Sequence, residues 1–451
     1  MSGVPGGIFW FIVTISVLVA VHEYGHYIVG RWCGMKVLKF SIGFGKPIWT
    51  WTGSAPDRTE YCISAIPLGG YVKFLDEREA PVEPEDQGRA FTHRPVPARI
   101  AVLLAGPLFN FLFAILAYWV LFLNGVPALK PAVGQVTDDS YAATAGLKHG
   151  DRIVAVGKRA TRDWETALLS MIDEMVGDGR IPLTLKAASG SERLAVIDVG
   201  TESSRLTEPG LLFDGLGFVP WQPPAVVASV VEDGAAATGG IHAGDVITRI
   251  DGEAVLDFFD LQRIVSARPE QTVEIEFKRD GREMSRDVTI ALGELDGEAR
   301  GLLGVSVSRD FGDLRYERKY GPLNAIAEAI QQTWTTTAFT VSMLANMLTG
   351  DVSIKNISGP ISIAQYAGDS AAAGFDRFLR FLALISISLG ALNLLPVPIL
   401  DGGQIVYQTI EWLKGSPLSM RSQIFGQQVG ILALLILMSF AFYNDIARLL
   451  G

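Results

Sequence analysis

The sequence predicts a multi-pass α-helical membrane protein whose apolar spans bracket a large α+β insertion. Three observations predict it. Hydrophobic residues make up 49% of the 451 residues and charged residues only 19%, with a mean hydropathy of +0.29; soluble domains usually carry about 25% charge. The apolar excess is concentrated at the two ends of the chain. The middle is polar and contains an internal repeat. The same figures exclude a disordered chain, which needs low hydrophobicity. A net charge of −10 argues against a nucleic-acid partner, which a basic patch would serve. Two cysteines, Cys33 and Cys62, exclude a disulfide scaffold.

Four segments are apolar over roughly the 20 residues that a bilayer requires: 8–30, 99–123, 379–400 and 425–443. Residues preceding the first carry no Lys or Arg, so a cleavable signal peptide is not expected. Residues 321–349 read as an amphipathic helix at the membrane surface. Orientation follows from basic residues in the short flanks. Arg31, Lys36, Lys39, Lys46, Arg58, Lys73, Arg78, Arg89 and Arg94, with Lys414 and Arg421, fall on one side; only Arg448 falls on the other. That bias places 31–96 in the cytoplasm and both termini outside. The segment from about 124 to 376 is then extracytoplasmic, and both cysteines lie on the reducing side.

Within the external segment, laying Asp139 on Asp233 aligns DSYAATAGLKHGDRIVAV with DGAAATGGIHAGDVITRI without a gap. A tandem duplication explains the match. Each copy reads as a short helix, a Gly-Asp turn and a strand. With Gly215-Leu216-Gly217-Phe218 upstream of the second copy, the pattern resembles a PDZ domain in permuted form. The expected modules are 128–203 and 212–297, the first without a clear GLGF. Grooves of this kind take an extended peptide as an added strand.

The chemistry lies in the first span. His22-Glu23-Tyr24-Gly25-His26 is an H-E-x-x-H motif. Residues i and i+4 share a helix face, so both imidazoles reach one Zn²⁺, and Glu23 can take a proton from a bound water. Ionisable groups in hydrocarbon are costly and need a role. A catalytic zinc expects three protein ligands, and the best third candidate is Asp401 in NLLPVPILDGG (393–403). His22 lies about 21 Å into a ~30 Å core, toward the cytoplasmic side, and Asp401 closes a span running in the same direction. Pro396 and Pro398 break the helix before it. His93, His149 and His242 read as surface residues.

HEYGH in the first span and NLLPVPILDGG in the third, with GFG (43–45), PLGGYVKFLDER (67–78), AGPLFNF (105–111) and SGPISIA (358–364), cover nearly the whole chain. Together with the tandem modules they resemble the site-2 protease family of intramembrane zinc metalloproteases. The resemblance implies His22, His26 and Asp401 as zinc ligands and Glu23 as general base. It implies a bacterial inner-membrane enzyme with periplasmic PDZ modules, cutting single-span proteins after an upstream site-1 protease has trimmed them. Anti-sigma factors and remnant signal peptides are the substrate classes it suggests.

A helical substrate must unwind before attack. Segment 37–74, β-rich and aromatic, is expected to form a membrane-associated sheet whose edge pairs with the extended substrate. Gly43, Phe44, Gly45, Asn393 and Pro396 are candidate substrate-binding residues; Asn110 is expected to line the same cavity. The PDZ pair is expected over the external mouth as a size filter. The domain plan is thus 1–127 (two spans and the sheet), 128–203, 212–297, 320–376 (amphipathic helix and linker) and 377–451 (two spans and the third ligand). Two other classes stay open at this stage. A membrane-anchored scaffold explains the repeats but leaves the buried His and carboxylates without purpose. A zinc or proton transporter explains those groups but expects more polar residues along the spans than Asn110, Asn393 and serines.

Overall fold

The computed structural model describes residues 4–450 except 56, 80, 188, 296–297 and 417. It contains two compact units: Met1–Val126 with Thr201–Leu211 and Glu317–Gly451, and Pro127–Gly200 with Leu212–Tyr316.

The long helices of the first unit, among the described residues, are α1 (Val4–Trp32), α2 (Val96–Asn124), α3 (Pro322–Thr349), α4 (Pro360–Ala372), α5 (Phe375–Asn393), α6 (Asp401–Lys414) and α7 (Met420–Leu450). Three of these, α1, α2 and α7, are long and apolar enough to cross a membrane. They leave Ile8, Phe9, Leu108, Leu112, Leu116, Leu432 and Leu435 facing outward, as lipid contact requires.

The third expected span, 379–400, is helical only in its first part. Helix α5 stops at Asn393, because Pro396 and Pro398 supply no amide proton and bias the residues before them away from helix. It does not match the length and composition of the other three. Helix α3 forms where expected, with Leu323, Ile326, Ile330, Trp334 and Val341 exposed along it and its small residues packed inward. Ala325 and Ala329 are buried with Ala114, Ala117 and Leu121 of α2 and with Ala383 and Ile387 of α5. Small residues allow this close approach.

Helix α4 occupies the part of 320–376 expected to be a linker after the amphipathic helix. It lies along α1 at Gly7 and Gly368, where an added Cβ would be 3.0 Å from the facing backbone. Its first turn is capped from α7. The Asp445 carboxylate accepts from the amides of Gly359 (2.9 Å), Ile361 (2.9 Å) and Ser362 (3.2 Å) and from Ser362 Oγ (2.6 Å). That carboxylate satisfies the donors that a helix start leaves open, and it explains the SGPIS sequence. Segment Thr201–Leu211, between the expected modules, belongs to this unit. Ser204 Oγ donates to Gly350 O at 3.1 Å and Lys355 Nζ to Glu208 at 2.9 Å.

Strands β1 (Val37–Thr52) and β2 (Glu60–Phe74) are long, bent and paired twice. The register gives four ribbons in the order 47–52, 60–64, 39–42, 70–74. Gly43 and Gly45 sit at the bend with φ of +91° and +84°, which only glycine adopts without strain. Phe44 stacks on Tyr71 across the sheet with centroids 6.2 Å apart.

The second unit shows the duplication in its backbone. Asp139 and Asp233 both adopt positive φ, +58° and +60°. Asp151 and Asp245 are buried, accept from the Lys148 and His242 amides at 2.8 Å, and pair with Arg193 and Arg279. Each copy has a four-stranded antiparallel sheet, with Arg180–Lys186 central in one and Thr272–Arg279 in the other.

The expected module boundaries need correction. Strand Phe218–Pro220 pairs with Val133–Val136, so GLGF belongs to the first copy. Leu302-Leu303-Gly304-Val305 takes the same place in the second, where Val305–Val307 pairs with Val227–Val230. Gly217 O accepts from Thr137 N and Gly304 O from Val231 N, both at 2.8 Å. A hinge glycine with positive φ serves each copy (Gly217 +79°, Gly304 +75°). A cavity of about 290 Å³ beside the first such strand is lined by Gln135, Phe213 and Phe218.

Candidate metal centre

Helix α1 presents His22 and His26 one turn apart on its buried face. Gly25 lies between them because α2 crosses there: a Cβ at 25 would be 2.5 Å from Ala105 O. The facing surface of α2 consists of Val102, Gly106 and Asn110, spaced by four and therefore aligned. Val102 O accepts from His26 Nδ1 at 2.7 Å. A carbonyl can only accept, so a neutral His26 carries its proton on Nδ1 and leaves Nε2 as a free donor atom. A Cβ at Gly106 would be 2.4 Å from His26 Nε2 and 2.8 Å from His22 Cε1. Asn110, fully buried, places its amide 3.0 Å from His22 Nδ1.

Asp401 arrives from the other end of the sequence. The segment 394–400 folds back over the start of α6, with Leu400 N donating to Val397 O at 2.8 Å and Gln404 Nε2 to Pro398 O at 2.8 Å. This close return explains the two glycines after Asp401. A Cβ at Gly402 would be 2.3 Å from Leu394 O, and one at Gly403 2.1 Å from Val397 O. Asp401 occupies the first turn of α6, where the helix dipole favours a carboxylate. A partly buried ion pair holds the far part of α6. Arg99 of α2, 8% exposed, donates to Glu411 at 2.7 and 3.3 Å.

Three donor atoms converge. His22 Nε2 and His26 Nε2 are 3.2 Å apart, and Asp401 Oδ2 is 3.2 Å from the first and 3.6 Å from the second. Zinc bonds of about 2.0–2.2 Å in tetrahedral geometry put ligand atoms roughly 3.3 Å apart. The donor set therefore fits a divalent zinc with one position left over, as in catalytic rather than structural sites. It is also the one three-ligand group of His, Cys, Asp or Glu found among the described residues.

Glu23 is 9% exposed, next to the imidazoles but outside the donor triangle. The β2 ribbon 70–74 runs past it: a Cβ on Gly70 would be 2.7 Å from Val19 Cγ1 and 3.0 Å from Glu23 Cγ. Gly70 thus admits the sheet edge to the site.

The structure brings His22, Glu23, His26, Asp401 and Asn110 together. It puts Gly43, Phe44 and Gly45 at the bend of the sheet, where glycine conformation and the Tyr71 stack account for them; the edge beside Glu23 is 70–72. Asn110 is fully buried and its side-chain amide meets His22. Asn393 ends α5, half-buried, and Pro396 is exposed on the loop before Asp401. Arg99 and Glu411 were missed, since their pairing joins positions 312 apart.

The profile of Peptidase family M50 matches residues 10–437. The chain belongs to peptidase family M50. It is similar to the regulator of sigma-E protease RseP of Salmonella typhimurium (40% identity, 97% of this chain, 98% of the relative). It matches the protein of the same name in Escherichia coli K12 to the same extent. A Vibrio cholerae relative of equal identity and coverage carries a zinc-metalloprotease name. The PDZ domain of an SdrC-like protein from Listeria monocytogenes covers 19% of this chain at 29% identity, with a TM-score of 0.17. This member of the family is a membrane protein and a zinc metallopeptidase.

Proposed function

We propose that this M50 peptidase cuts peptide bonds inside transmembrane segments. One observation carries the reading: the His22–His26–Asp401 triangle, with Glu23 beside it, is built from helices of the membrane unit, and the outer ribbon of the sheet, 70–74, passes Glu23 at Gly70. His22, His26 and Asp401 would hold zinc, which supplies Lewis acidity to the carbonyl and lowers the pKa of water toward about 7. Glu23 accepts the proton of the attacking water and returns it to the departing amine.

The unwound substrate lies along ribbon 70–74 as an added strand. This positions its carbonyl over the site and keeps its freed backbone groups bonded in a dry environment. The half-buried amide of Asn393 and the Pro396 loop flank the substrate on the opposite side.

The basic-residue bias supports a topology of four spans, with α5 as the third, the sheet and loop 31–96 cytoplasmic, and both termini and the repeat unit periplasmic. Substrates are single-span proteins already shortened outside, anti-sigma factors and remnant signal peptides among them; the relatives' names mention sigma-E. The insertion of the repeat unit between α2 and α3 supports its role as a size filter. Glu23→Gln tests the reading: it preserves shape and removes the base, so cleavage of a model substrate in membranes must stop.

A further inference from the structure

We propose that Asn110 is a positioning residue for the ligand His22, and that helix α2 through Val102, Gly106 and Asn110 sets the orientation of both zinc-binding imidazoles. The inference rests on the zinc assignment above and goes beyond it. His26 needs no further argument, because Val102 O fixes its proton on Nδ1. His22 has no backbone carbonyl in that place. Its Nδ1 meets the Asn110 side-chain amide at 3.0 Å, and an amide can present either nitrogen or oxygen by a half-turn about its last bond.

The two choices differ in chemistry. With the NH₂ group toward the ring, Nδ1 accepts and the His22 proton sits on Nε2, blocking the donor atom that faces Asp401. With Oδ1 toward the ring, Nδ1 donates and Nε2 is free for zinc. Only the second choice is compatible with a metal ligand. It reproduces for His22 the pairing that Val102 O gives His26, and metal-bound histidines almost always donate their other ring N–H to such a partner.

Asn110 is itself held rigidly. It is 0% exposed, and its backbone carbonyl accepts from the fully buried Ser386 Oγ of α5 at 2.8 Å. Gly390 of α5 packs where a Cβ would be 3.2 Å from Pro107 O. The AGPLFN sequence is thus accounted for: Ala105 for the crossing with Gly25, Gly106 for the imidazoles, Asn110 for the tautomer.

The test uses the full-length protein in detergent and measures zinc affinity by chelator competition, together with the visible spectrum of the cobalt-loaded protein and a melting curve. Asn110→Leu keeps the volume and loses the acceptor; Asn110→Asp keeps an acceptor oxygen. The expected result is about a tenfold or greater loss of zinc affinity in Asn110→Leu, a changed cobalt spectrum, and recovery of both in Asn110→Asp. If Asn110→Leu does not fold, Asn110→Ala, which only removes atoms, takes its place with the same expectation. Wild-type zinc affinity in a folded Asn110→Leu or Asn110→Ala would overturn the proposal, as would an Asn110→Asp variant no better than Asn110→Leu. His22→Ala and His26→Ala controls separate the two levels. If they keep full zinc, the ligand assignment itself is wrong; if they lose zinc and Asn110→Leu does not, only the positioning role is wrong.

Discussion

Gly106→Ala is the sharpest small perturbation of the site. The added methyl would start 2.4 Å from His26 Nε2, 2.7 Å from His26 Cε1 and 2.8 Å from His22 Cε1. Ordinary contact needs about 3.4–4.0 Å between such atoms, so the two rings must retreat by roughly 1 Å. Overpacking of this kind costs about 1–3 kcal/mol, which a folded membrane unit survives. Zinc bonding is less tolerant, since ligand distances hold within about 0.2 Å. A 1 Å misplacement at a reacting centre is worth about a hundredfold in rate. Gly106→Ala should therefore fold, bind zinc more weakly and cleave a transmembrane substrate at least about a hundredfold more slowly. The assay is cleavage in membranes containing equal amounts of each protein, with zinc content measured on purified samples. Cleavage within threefold of wild type would refute the argument that α2 and the imidazoles share this contact.

Glu411→Ala leaves Arg99 buried without its carboxylate, a loss of about 3–5 kcal/mol for a fully enclosed pair and less here because Glu411 is partly exposed; thermal melts should show destabilisation, and activity should fall with it as α6 loosens around Asp401. In the repeat unit, burial opposes ionisation of Asp245, but the Arg279 guanidinium and the His242 amide outweigh it and hold the carboxyl below its usual value. A depressed folded-state pKa gives stability that is present above the unfolded value of about 3.9 and is lost as pH falls through the folded value. The melting gap between wild type and Asp245→Asn should thus be wide at pH 7 and close on acidification below about pH 4; a gap independent of pH would contradict this. Tyr320 N donates to Phe122 O at 3.0 Å, so the chain leaves and re-enters the membrane unit at neighbouring points. Replacing 127–200 and 212–316 by short Gly/Ser linkers, which keeps Thr201–Leu211 with the membrane unit, should leave cleavage of trimmed substrates intact and permit cleavage of untrimmed ones, read by immunoblot; continued rejection of untrimmed substrate would end the size-filter idea.

The parts of the site legible in the sequence are those set by local rules. Spacing by four places His22 and His26 on one helix face, and two prolines predict the break that delivers Asp401. The duplication was legible because Asp139 and Asp233 share a backbone conformation that few residues adopt. Contacts over long sequence separation were not legible. GLGF lies next to the second copy in sequence, yet a strand pairing assigns it to the first. Helix α4 depends on Asp445, some 85 positions away, for its cap. Asn110 reads as a cavity residue because nothing local to α2 reveals that His22 faces it. The GFG glycines invite a functional reading, but positive φ at a bend explains them, and the glycine that adjoins the chemistry is Gly70.

The central claim is that Glu23 supplies the base at a zinc held by His22, His26 and Asp401. The most direct measurement is zinc content and transmembrane-substrate cleavage on the same preparations of wild-type, Glu23→Gln and His22→Ala protein. The account predicts about one zinc and no cleavage for Glu23→Gln, and neither zinc nor cleavage for His22→Ala. Cleavage at the wild-type rate by Glu23→Gln, or full zinc in His22→Ala, would contradict it.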